Sequence, residues 1–124
     1  MKKQRILIVD DEQIIRLLVK RFLGDKFVVL EAVDGEEAVY MARKHKPSLI
    51  FMDILMPNID GYNACSMIKT NQSTKRIPVV MVTALGYELN KKLAEEVGAD
   101  GYITKPFTLE KLLDTIGKFV ETPK

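Results

Sequence analysis

Four short stretches of this chain carry side chains able to do chemistry. Asp10 and Asp11 follow the apolar run Ile6-Leu7-Ile8-Val9, Asp53 follows Leu49-Ile50-Phe51-Met52, Thr83 follows Val79-Val80-Met81-Val82, and Lys105 follows Tyr102-Ile103-Thr104. Taken singly, an Asp or Thr after a strand commonly caps the next helix. Together they make three carboxylate positions, a hydroxyl and an ammonium, a set that capping does not account for. Carboxylates packed at 4 Å repel by on the order of 4 kcal/mol per pair at an effective dielectric near 20, so something positive must sit among them. Lys105 neutralises one charge. A hard divalent cation neutralises two and accepts carbonyl and water oxygens for the rest of its coordination. Mg2+, or Mn2+ in its place, is the expected occupant, and the lack of His or thiolate among the candidates argues against zinc or copper. A cation held by few carboxylates and several waters also suits a phosphoryl group. The metal and Lys105 would meet its oxygens, Thr83 would donate a hydroxyl, and Asp53 would be the in-line nucleophile. The chemistry expected is phosphoryl transfer to a carboxylate.

The elements that must position these residues follow from periodicity. The three unbroken apolar runs of four are the pattern of strands covered on both faces in a parallel sheet. Phe27-Val28-Val29-Leu30 and Tyr102-Ile103-Thr104 are weaker runs, suited to strands nearer the edges. Between them apolar residues recur at helical spacing: Ile14, Leu18 and Phe22; Ala38, Met41 and Ala42; Ala64, Met67 and Ile68; Leu89, Leu93 and Val97; Leu109, Leu112, Leu113 and Ile116. Asp34, with Glu37 three residues on, and Thr108 are expected helix caps, and Gly24 and Gly98 helix stops. Five strands alternating strictly with five helices require right-handed crossovers, hence an α/β, doubly wound parallel sheet of order 2-1-3-4-5. Ligands of such sheets bind outside the carboxyl ends of the strands, where all five candidates meet.

Composition narrows the alternatives. With 124 residues, 47% hydrophobic and 29% charged, a single water-soluble domain over residues 1–124 is expected, its first and last few residues flexible. The 19 Lys and Arg against 17 Asp and Glu leave no basic stripe for nucleic acid. The longest apolar runs are strand-sized and no signal-peptide h-region opens the chain, so neither membrane association nor export is expected, and cytoplasmic residence follows. Cys65, the sole cysteine, has no thiol partner or metal-ligand spacing and reads as a core residue. His45 reads as an exposed helix-end residue.

Along its whole length the chain resembles the receiver domains of two-component response regulators, of the chemotaxis CheY type. The resemblance rests on Ile6-Leu7-Ile8-Val9-Asp10-Asp11-Glu12, Met52-Asp53-Ile54-Leu55-Met56-Pro57 with Gly61 beyond, Val82-Thr83-Ala84, Gly98-Ala99 and Lys105-Pro106-Phe107. It implies that Asp53 accepts a phosphoryl group from a phosphohistidine on a sensor histidine kinase or phosphotransfer protein, or from small phosphodonors. It implies that Asp11, Asp53 and the backbone carbonyl of Leu55 bind Mg2+, with Asp10 acting through water, and that Lys105 and Thr83 contact the phosphoryl oxygens. A cis Lys105-Pro106 bond is implied as well. Switching would draw Thr83 toward the phosphoryl group and turn Tyr102 inward, changing the surface of helix 4, strand 5 and helix 5 toward an unknown output domain or target. Without the resemblance Tyr102 reads as a half-buried strand tyrosine.

Helix 1 carries more apolar residues than one core stripe needs, and the family docks its kinase there and on the loop after strand 5. Ile15, Leu18, Pro106 and Leu109 are placed in that patch, with a more deeply buried helix as the alternative. Leu55 and Leu85 are apolar where some relatives carry an acid or amide to orient water, so slow self-dephosphorylation is expected. The resemblance implies a switch and not a conventional enzyme, either a monomer or a phosphorylation-dependent dimer. Two rival classes share parts of the pattern. A flavodoxin-like mononucleotide binder would need Gly, Ser and free backbone donors where Asp10-Asp11-Glu12 stands, and a haloacid dehalogenase-type phosphatase would need a second Asp at Leu55.

Overall fold

The structure, a computed structural model, describes residues 3–84 and 91–120. Leu85, Leu89 and the terminal residues 1–2 and 121–124, on which flexibility is expected, lie outside the described residues. Ten elements alternate: β1 (Arg5–Val9), α1 (Gln13–Leu23), β2 (Val28–Ala32), α2 (Gly35–His45), β3 (Leu49–Asp53), α3 (Gly61–Thr70), β4 (Val79–Ala84), α4 (Lys91–Glu96), β5 (Gly101–Lys105) and α5 (Leu109–Phe119). The strands pair in parallel in the order β2-β1-β3-β4-β5, the doubly wound sheet that the alternation requires.

Side chains along a strand point alternately to its two faces, and this period of two divides each apolar run. Ile6, Ile8, Phe51, Val80, Val82 and Ile103 pack with Val19 and Leu23 of α1 and Leu112 and Ile116 of α5. Leu7, Val9, Ile50, Met52, Val79 and Met81 pack with Ala38 and Ala42 of α2 and Ala64, Cys65 and Ile68 of α3. Complete burial of such an aliphatic side chain contributes roughly 1.5–3 kcal/mol, so sheet and helices hold one another in place from both sides.

Several expected details shift. β2 begins at Val28 and runs to Ala32, because Phe27 still belongs to the turn after α1, where its N–H donates to Leu23 O at 2.9 Å. The core stripe of α1 is formed by Val19 and Leu23 with Ile15 and Phe22 beside them. Ile14 and Leu18, expected in that stripe, are exposed, as is Leu17. Met67 and Leu109 likewise face outward while Ile68, Leu112 and Ile116 carry the contacts. The caps form as expected: Asp34 accepts from Glu37 N at 2.8 Å and Thr108 Oγ1 from Lys111 N at 3.0 Å. Gly98 follows α4 at φ +83°, whereas Gly24 ends α1 in a right-handed conformation, φ −58°. Lys105-Pro106 is cis, and Cys65 is fully buried.

Candidate functional site

The parallel register brings the carboxyl ends of β1, β3, β4 and β5 to one edge, where a cavity of about 310 Å3 opens. Asp11, Glu12, Asp53, Leu55, Thr83, Ala84 and Lys105 are among its lining residues. Asp53 is the last residue of β3 and Thr83 the last but one of β4, and both are buried. Asp10 lies behind the wall, 1% exposed. Its Oδ1 accepts from Glu12 N at 2.9 Å and its Oδ2 meets Lys105 Nζ at 2.7 Å.

Lys105 is the electrostatic centre of the group. Beyond Asp10, its ammonium stands 3.5 Å from Asp53 Oδ2 and 3.7 Å from Glu12 Oε1. Burial acts to lower its pKa, but the hydrogen bond that it donates to Asp10 and the charges of Asp10, Asp53 and Glu12 outweigh this and hold the lysine above its ordinary value. Asp53 is also pushed up, which in its case favours the neutral form. Burial, then the charge of Asp10, raise its pKa from 3.8 to about 6, against the smaller opposing pull of Lys105. One ammonium therefore leaves this group short of positive charge.

Oxygen donors in excess over cations are what a hard divalent ion requires. Carboxylate oxygens of Asp10, Asp11 and Glu12 lie within 4.8 Å of one another, and Asp53 joins them across Lys105. The donor set therefore fits Mg2+. Glu12 is the residue whose part sequence reasoning missed, although it directly follows Asp10-Asp11. Ala84 is exposed at the mouth and Leu55 projects from the wall, 54% exposed.

The loop after Asp53 is pinned in several places. Gly61 N–H donates to Ile54 O at 2.9 Å, and Asp60 caps α3 by accepting from Asn63 N at 2.9 Å. A Cβ at Gly61 would collide with the backbone carbonyl of Asp53, so α3 begins directly against the peptide of the candidate nucleophile.

The remaining candidates lie apart. Tyr102 is 49% exposed, as a half-buried strand tyrosine is, and is not among the residues lining the cavity. Leu18, Pro106 and Leu109 are exposed, whereas Ile15 packs against the core. The expected docking patch is thus split, because one turn of α1 cannot direct both Ile15 and Leu18 to solvent while Val19 is buried.

Residues 6–117 match the model of the response regulator receiver domain. The chain is 43% identical over 114 residues to the chemotaxis protein CheY of Halobacterium salinarum, covering 91% of this chain and 93% of that protein. It is 39% identical over 112 residues to the "Probable transcriptional regulator ycf27" of Porphyra purpurea, covering 90% of this chain and 45% of the relative, so it spans about half the length of the first such relatives. A crystal structure of the receiver domain of the sensor histidine kinase PA1611 from Pseudomonas aeruginosa, with a magnesium ion coordinated in its active-site cleft, superposes with a TM-score of 0.86 at 26% identity, covering 95% of this chain and 98% of that one.

Proposed function

The chain belongs to the response regulator receiver family of two-component signalling, and from that premise we propose that it is a switch worked by phosphorylation of Asp53. The observation that carries this reading is the cavity in which Asp53, Thr83 and Lys105 converge beside Asp11 and Glu12. A carboxylate oxygen of Asp53 attacks phosphorus in line. The new O–P bond forms as the P–N bond of a phosphohistidine breaks, and the departing imidazole takes up a proton. Lys105 holds the phosphoryl oxygens by charge, and Thr83 donates its hydroxyl to them. Asp11, Asp53 and the Leu55 carbonyl would hold Mg2+, or Mn2+, with Asp10 acting through water and Glu12 alongside. When bound, the ion would supply positive charge that offsets the crowded carboxylates around Asp53 and the charge on the transferred group.

The donor is a sensor histidine kinase or phosphotransfer protein, docking on the exposed apolar residues Leu18, Pro106 and Leu109, with Ile15 at the margin. Readout runs from Thr83 to Tyr102 and the surface of α4, β5 and α5, toward a target protein or an output domain. The magnesium in the PA1611 receiver supports the ion assignment, and the oxygen-rich donor set supports it independently.

Incubation with acetyl phosphate and Mg2+ should add one phosphoryl group by intact mass. The adduct should vanish in Asp53→Ala and persist in the surface variant Asp25→Ala. An adduct retained by Asp53→Ala would overturn the assignment.

A further inference from the structure

Asp10 stands one residue beyond the β1 ladder, and its peptide is held on both sides. Its N–H donates to Ala32 O at the end of β2, 3.1 Å. Its carbonyl accepts from Arg16 Nη1 at 2.9 Å. Arg16 is a residue of α1, its side chain only 13% exposed, and its Nε donates to Glu31 Oε1 of β2 at 3.1 Å. Glu31 also meets Lys20 at 3.2 Å through its other oxygen. A charged residue inside the apolar run of an edge strand needs such a partner.

We infer that Arg16, anchored by Glu31, is a positioning residue for cation binding, fixing the Asp10 peptide so that the carboxylates of Asp10, Asp11 and Glu12 converge. The inference rests on the proposed function. Arg16 touches neither the ion nor the phosphoryl group and acts through the loop it holds. The guanidinium suits this task because its planar fork bonds two acceptors in fixed relative directions. A lysine ammonium at the same place would reach one or the other. The α1 first turn is tied to the same loop, since Ile15 and Arg16 N–H donate to Glu12 O at 3.2 and 3.3 Å. Loss of Arg16 would therefore free the three acidic residues to move apart under their own repulsion.

The test is Mg2+ titration of the purified, metal-stripped chain by calorimetry, with amide shifts of residues 10–12 followed by NMR before metal is added. Groups that orient metal ligands typically contribute about 10–100-fold in affinity. Arg16→Ala should weaken Mg2+ binding by about tenfold or more and displace the metal-free shifts, with Arg16→Lys falling between it and the parent. Adding Glu31→Ala to Arg16→Ala should weaken binding little further, since the two act as one unit. Lys20→Ala, which removes an exposed partner of Glu31 but no contact to Asp10, should stay within about twofold. A folded Arg16→Ala that binds Mg2+ as the parent does overturns the inference, even if its melting temperature falls. Should that variant not fold, unchanged affinity in both Arg16→Lys and Glu31→Gln overturns it. A parent chain that binds no Mg2+ overturns both this inference and the proposed function. A parent that binds Mg2+ and takes up phosphate beside an unaffected Arg16→Ala overturns this inference alone.

Discussion

Two lysines of similar exposure sit in opposite electrostatic situations. Lys69 of α3, its side chain 15% exposed, donates to Ile77 O at 3.0 Å and meets one carboxylate, Asp100, at 3.0 Å. The same Asp100 oxygen accepts from Val79 N at 2.8 Å, so the pair ties α3 to β4 and the segment before β5 and closes on itself. Lys105, 16% exposed, faces Asp10, Asp53 and Glu12. One lysine is balanced and the other is outnumbered. A balanced pair makes a structural tie, whereas an outnumbered lysine leaves negative charge for an incoming cation to meet.

The largest expected contrast comes from deleting each ammonium. Lys105→Ala should slow phosphorylation by acetyl phosphate by about 100-fold or more, as loss of a group that stabilises developing charge typically does. Lys69→Met should leave that rate nearly unchanged and lower stability by about 1–2 kcal/mol in denaturant titration. Equal effects on phosphorylation would erase the distinction between the two sites.

The excess charge should also show in stability without metal. Asp53 has a folded pKa of about 6 against 3.8 unfolded, so between these values the folded state retains a proton that the unfolded state has released. Stability therefore falls as pH rises from about 4 to 6 and levels off above. In EDTA at pH 7.5, Asp53→Asn should be more stable than the parent by on the order of 2–3 kcal/mol, the gap closing near pH 4. A parent as stable as Asp53→Asn at pH 7.5 would mean that Lys105 suffices after all.

Mg2+ should then reverse part of the penalty. At tenfold excess over its dissociation constant it should stabilise the parent by about 1.4 kcal/mol in thermal unfolding, with a smaller gain in Asp53→Asn. The smallest effect concerns phosphoryl lifetime. Leu55 projects over the cavity and has no atom to orient water, so Leu55→Glu should speed phosphoryl loss several-fold, read by timed intact mass.

The sheet order was legible because unbroken apolar runs in alternation with helices admit few topologies, and the convergence of Asp10, Asp53, Thr83 and Lys105 follows from that order. Less legible was which side of α1 faces inward. Ile14, Ile15, Leu17, Leu18, Val19, Phe22 and Leu23 are all apolar, so periodicity alone cannot choose the buried stripe, and only docking against β1 and β2 selects Val19 and Leu23. The tie from Glu31 through Arg16 to Asp10 spans β2, α1 and the loop between β1 and α1. Its one local trace is a glutamate in an apolar strand, and the expected end of that strand at Leu30 left the glutamate outside it.

The seat of Gly61 against the Asp53 peptide bears on how this sequence can drift. In a library of every single substitution, position 61 should be nearly empty, because even a methyl group pushes the reactive strand end out of line. Gly117 on α5, where a Cβ would meet nothing within 4 Å, should accept many residues and gain from alanine. The two glycines look alike in the sequence, yet one is fixed by its contact with the Asp53 peptide and the other has open space for a side chain.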